Sequence, residues 1–174
     1  ESWHFVENLP LAQFYHINVD DQLPYNVYGG MQDNGSWKGP AYSLTTDGIR
    51  NEEWSELFFG DGFDVVPVPG RTDAVYAQSQ EGNVGLVNAE TGYSELIKPT
   101  HPEGEKLRWH WNAPIALHPH APETCLYFGS QYVHKSTDHG NNWTIISPDL
   151  TSNTPEKQKQ LERVGLTHNQ TGTE

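Results

Sequence analysis

Three carboxylates, Asp33, Asp61 and Asp64, stand where chemistry is most readily imagined. Asp33 follows a strand-like run, and Asp61 and Asp64 flank the entry to the next one. Two such groups roughly 6.5–9.5 Å apart, with water between them, would be the acid and base of an inverting glycoside hydrolase. Their hard oxygens would equally suit Ca²⁺. The competing reading is structural, because Asp33-Asn-Gly and Asp61-Gly are turn formers that bond their own backbone. Trp37, Trp54, Trp109 and Trp111 offer a second chemistry, since exposed indoles stack on sugar faces and buried ones pack between elements. Gln32–Pro40 reads as a long inserted loop, which makes Trp37 the expected exposed indole. The ligand-binding candidates are therefore Trp37, Asp33 and Asp61. His110, His118 and His120 bring no third ligand to metal spacing, so no metal site is assigned. There is no Ser-His-Asp signature, phosphate-cradling glycine loop or dinucleotide fingerprint.

The elements that would hold these residues repeat. Tyr15–Gly30, Phe63–Gln78 and Pro114–Gly129 each run from a short apolar strand through a Pro- or Asp-rich turn to a branched residue followed by tyrosine: Tyr28, Tyr76 and Tyr127. A glutamine stands four residues after each: Gln32, Gln80 and Gln131. A period near 50 built only of strand-like segments predicts four-stranded propeller blades. The second unit reads as strands at Val65–Val66, Ala74–Gln78, Val84–Asn88 and Tyr93–Ile97, with a hairpin at Asn88–Gly92. The third reads as strands at Ile115–Leu117, Leu126–Gly129, Tyr132–Ser136 and Trp143–Ile146. The expected fold is all-β, with about three blades over 14–58, 61–98 and 109–148. Together they form a partial propeller within 1–150. Three blades do not close a ring, so the rest of the propeller is expected from the same or another chain. Residues 151–174 read as an excursion between blades. There Thr154, Pro155 and Gly165 would cap, start and end a short surface helix or loop.

Composition agrees with an all-β chain of 174 residues: 6 Trp, 8 Tyr and 6 Phe, with 16 Gly and 12 Pro for turns. The formal net charge of −13 repels phosphate backbones and anionic lipid surfaces, so no nucleic-acid partner is expected. No apolar run is long enough to span a bilayer as a helix. Cys125 is the single cysteine, which excludes an internal disulfide and a Cys-based zinc site. The sequons at Asn34, Asn142 and Asn169 are about what 12 asparagines give by chance. The start at Glu1, with no initiator Met and no signal-peptide pattern, fits a processed or excised chain.

Ser136-Thr-Asp138-His-Gly140-Asn-Asn-Trp143 fits S-x-D-x-G-x-x-W, the Asp box or bacterial neuraminidase repeat. Its expected role is structural. Asp138 accepts N–H bonds across a hairpin, Gly140 takes a left-handed φ, and Trp143 buries its ring. With Gln32–Pro40, Gly60–Phe63, Trp111–Pro114 and Ser147–Thr151, the chain resembles large secreted bacterial Asp-box proteins. These are sortilin-like in their propellers and usually labelled glycosyl-hydrolase-like. The resemblance spans nearly the whole chain. It implies a location outside the cytoplasm (extracellular, periplasmic or cell-surface) and one or two propellers within a much longer polypeptide. Gly165–Gly172 then looks like the approach to a further blade. Xyloglucan-cleaving Asp-box enzymes use two Asp on opposite lobes, and neither is matched here with its flanking residues. Sialidases need an arginine triad, and none of Arg50, Arg71, Arg108 and Arg163 lies in such a motif. The expected function is a non-catalytic scaffold or binding module for a protein, peptide or glycan. The alternative is an inverting hydrolase of a β-glucan-type polysaccharide. No cofactor is expected, apart from the Ca²⁺ that the aspartates would suit.

Overall fold

The computed structural model describes residues 2–3 and 12–154. The helix expected after Thr154 lies outside them. The chain is all-β, with three antiparallel four-stranded sheets, each a simple meander. The first sheet holds β1 (Phe14–Val19), β2 (Asn26–Met31), β3 (Gly35–Pro40) and β4 (Ser55–Phe58). The second holds β5 (Val65–Pro67), β6 (Ala74–Ser79), β7 (Asn83–Asn88) and β8 (Ser94–Leu96). The third holds β9 (Ile115–Leu117), β10 (Leu126–Gly129), β11 (Val133–Ser136) and β12 (Thr144–Ile145).

One expectation is overturned. Gln32–Pro40 is not an inserted loop but the turn and third strand of the first sheet. Asp33 (φ 59°) and Gly35 (φ 73°) take left-handed conformations, which makes a turn tight enough to return the chain at once. Gly39 then lies under the Trp54 ring, where a side chain would collide with it. The glycines that made the segment look loop-like serve close packing.

Alternation along strands gives each sheet two faces, and cross-strand partners share one. Tyr28 and Leu57 of the first sheet meet Val65, Val75, Ala77 and Val87 of the second. On its other face the second sheet sends Ala74, Tyr76 and Val84 against Leu126 and Phe128 of the third and against Trp109, in the segment that enters it. The second sheet is therefore covered on both sides, and every residue of β6 is buried. Burying one large side chain contributes about 1.5–3 kcal/mol, so the two layers hold the stack together.

The first crossing between sheets is backbone against backbone. Gly35 N donates to Gly60 O (2.9 Å) and Gly62 N to Met31 O (2.9 Å). A Cβ on Gly62 would lie 2.2 Å from the Gly35 carbonyl oxygen, and one on Gly30 would lie 2.2 Å from the Gly62 carbonyl carbon. The second crossing uses an indole. Trp109 covers Gly82, where a Cβ would come within 2.2 Å of the ring, and packs on Phe128 and His134.

Candidate functional site

Polar side chains from the first two sheets and from the segment entering the third converge beside the first strands. Asn18, on β1, donates through Nδ2 to Asp64 Oδ1 (2.6 Å) and to Val65 O (2.9 Å), joining the first sheet to the second. Gln78, on β6, donates to Asn112 Oδ1 (3.0 Å), and Asn112 Nδ2 donates to His16 Nε2 (3.0 Å) on β1. Asn112 N in turn donates to His110 Nδ1 (3.1 Å). A hydrogen-bonded relay thus runs from a buried glutamine, through the approach to the third sheet, to an exposed histidine on the first. Gln78 is 1% exposed, and its Oε1 is buried with no hydrogen-bond partner among the described residues. An acceptor in that position calls for an ordered water or a ligand donor.

The three aspartates do not share one role. Asp61 is buried, and both its oxygens are engaged. Oδ1 accepts Asp33 N (2.8 Å) and Oδ2 accepts Trp111 Nε1 (2.9 Å). It ties the first sheet's turn to the segment entering the third. Asp33 contributes backbone, and its side chain is exposed at a left-handed turn position. Asp64 is half-buried and accepts from Asn18. Among the described residues no group of three or more His, Cys, Asp or Glu side chains comes together as ion ligands would.

The indoles divide as well. Trp109 is buried and Trp54 covers Gly39. Trp37 is half-buried on β3, its Nε1 donating to Asn34 O, and it borders a small hollow with Met31 and Gln32. Trp111 is half-buried and bonded to Asp61.

The Ser136–Trp143 hairpin is tied by its own polar side chains, Gly140 takes φ 92°, and Trp143 is half-buried rather than enclosed. Asp138 Oδ1 accepts Asn142 N (2.9 Å), and Ser136 Oγ accepts Gly140 N (2.8 Å). Side-chain and backbone bonds from Asn142, together with Ser136, hold the Asp138 carboxyl below the usual carboxylate range. The hairpin also reaches its neighbour. Trp143 Nε1 donates to Ile97 O (2.8 Å), and the Tyr76 hydroxyl lies 3.2 Å from His139 Nδ1.

Three features have roles the sequence reading did not assign. Two of the glutamines after the repeat tyrosines are staples: Gln80 Oε1 accepts Asp61 N (2.8 Å) and Gln131 Oε1 accepts Arg108 N (2.8 Å), whereas Gln32 is exposed and accepts the Tyr15 hydroxyl (2.9 Å). His16 lies in the first repeat and Asn112 in the Trp111–Pro114 motif, but neither was assigned a role. A cavity of about 910 Å³ lies apart from the relay, lined by residues of the Lys98–Trp109 stretch and by Asn153. Two of the cations lining it, Lys98 and Arg108, have partners. Lys98 Nζ donates to Glu81 O (2.8 Å) and lies over the Trp109 ring, and burial pushes its pKa down. Arg108 pairs with Asp149 (2.7 Å).

No family model matches this chain, and neither a curated protein nor a solved structure matches it. No helix among the described residues is long and apolar enough to cross a membrane.

Proposed function

We propose that the three sheets are blades of an Asp-box β-propeller, and that the chain is a non-catalytic scaffold and binding module acting outside the cytoplasm. Its ligand is a protein, peptide or glycan. The blade reading is supported by three meanders stacked face to face and by the bond from Asn18 on β1 to Val65 O on β5, which joins the first strands of the first two sheets. The single observation that carries the binding reading is the relay Gln78–Asn112–His16. It links a buried amide on the second sheet, through Asn112 ahead of the third, to an exposed imidazole on the first, chemistry suited to hydroxyl and peptide groups. A non-catalytic role is supported by Asp61, whose two oxygens already hold the chain together.

A glycan array, followed by a reducing-sugar assay on soluble β-glucan, tests this. The expected result is retention of a glycan with no new reducing ends. His16→Ala, at an exposed position, should weaken that retention about tenfold, the equivalent of one hydrogen bond. Time-dependent release of reducing ends that Asp61→Asn abolishes would establish the hydrolase instead.

A further inference from the structure

One asparagine carries a reaction that the fold holds off. Of the 12 asparagines, Asn34 is the one followed by glycine. In such a pair the glycine's main-chain nitrogen, with no side chain to obstruct it, attacks the asparagine's own amide carbon. The N–Cγ bond forms, Nδ2 leaves as ammonia, and a cyclic imide closes. Water then opens the imide at either carbonyl. One opening leaves aspartate. The other leaves isoaspartate, in which the main chain runs through the side chain.

Asn34 stands exposed in the turn between β2 and β3, while Gly35 beside it is buried. The attack needs the Gly35 nitrogen to shed its proton and turn toward Cγ. Gly35 N instead donates to Gly60 O (2.9 Å), across the crossing between the first two sheets. Gly35 has no room to swing, because its carbonyl oxygen lies 2.2 Å from where a Cβ on Gly62 would be. The amide that must be attacked is held as well, Asn34 Nδ2 donating to Gln32 O (2.8 Å). Asp61 and Gln80 fix the far side of the crossing: Gln80 Oε1 accepts Asp61 N, and Asp61 Oδ1 accepts Asp33 N. The nucleophile is therefore released only when the first and second sheets part here.

We propose that Asn34 is a latent deamidation site, and that its reaction turns a transient parting of the first two sheets into a permanent one. Isoaspartate adds one carbon to the main chain between the Cα of residue 34 and Gly35 N. A crossing without space for a methyl on Gly62 has no space for that carbon, so Gly35 N cannot return to Gly60 O. The Asn34 carbonyl, which accepts Trp37 Nε1, leaves the main chain and becomes a free carboxylate. Either product adds a negative charge to a chain whose net charge is already −13.

Peptide mapping by mass, with isoaspartyl methylation to mark the isoaspartate, tests this on the full chain at neutral pH. The folded chain, the chain in urea and a synthetic peptide of residues 32–38 are compared. The folded chain should lose the Asn34 amide at least about 100-fold more slowly than the peptide, because the rate follows the population of the open form. In urea the two rates should coincide. Gln80→Ala removes one bond from the crossing and leaves Asn34 and Gly35 untouched, so it should speed the folded reaction about fivefold. Equal rates in the folded chain and the peptide overturn the shielding. Asn34→Gln, at an exposed position, should abolish the isoaspartate signal in urea, and a signal that survives overturns the assignment. After removal of urea, the isoaspartate form should regain protected amides in β10 but keep fast exchange at Gly35 and Gly62. Protection at Gly35 equal to that of the unmodified chain overturns the permanent change.

Discussion

Gly62→Ala should lose about 3 kcal/mol of stability, or fail to fold. The new methyl would lie 2.2 Å from the Gly35 carbonyl oxygen, a contact backbone atoms cannot relieve by rotating. The strands cannot separate without breaking Gly62 N to Met31 O and Gly35 N to Gly60 O. Asp61, between them, would lose its hold on Asp33 N and Trp111. The matched control is Gly70→Ala. Gly70 has φ 73° with nothing within 4 Å of its Cβ position, so alanine there should cost only the backbone penalty of about 1–2 kcal/mol. Urea midpoints compare the two. Equal losses would mean that the crossing is not as close as described.

His134→Phe should remove much of the chain's acid sensitivity. The imidazole is wholly buried between Trp109 and Trp143, and Ser130 Oγ is its partner at Nε2 (2.7 Å). Its Nδ1 is buried with no hydrogen-bond partner among the described residues. Burial first, and the nearby His101 second, push its pKa from 6.5 down to about 4. As pH falls through this interval the unfolded chain takes up the proton first, so stability is complete above about 6.5 and is lost toward 4. The loss amounts to about 3 kcal/mol. Phenylalanine keeps the ring contacts and cannot titrate. The variant should stay within about 1 kcal/mol of the parent at neutral pH and gain on it steadily as pH drops. Parallel stability curves from pH 7 to pH 4 would contradict the assignment.

How much of this was legible in the sequence depended on the range of the contact. The strands of the second and third units follow from alternation and from turns such as Asn88–Gly92, where Gly92 takes φ 73°. Both are local signals. The first unit misled because Gly35 and Gly39 look like loop residues. What they provide, a left-handed turn and room for Trp54, appears only once the partner is in place. The hairpin at Ser136–Trp143 was readable because Asp138 bonds residues two to four positions away. Asp61 was singled out for its carboxylate, yet its partners stand 28 and 50 residues off, and no spacing rule reaches them. The same distance hid Asn112, whose bond to His16 spans 96 residues. The repeating glutamines were visible as a pattern. The role of Gln80 and Gln131 was not, because the N–H groups they accept belong to segments entering the second and third sheets.

The central claim is that three equivalent sheets lie face to face with the second enclosed. Amide hydrogen exchange tests it most directly. β2, β6 and β10 are the second strands of their sheets, each paired on both sides. Because slow exchange follows burial and cooperative packing, the amides of β6 should be the slowest of the three. Amides in β2 or β10 as slow as those of β6 would mean that the sheets are not stacked with the second between the others.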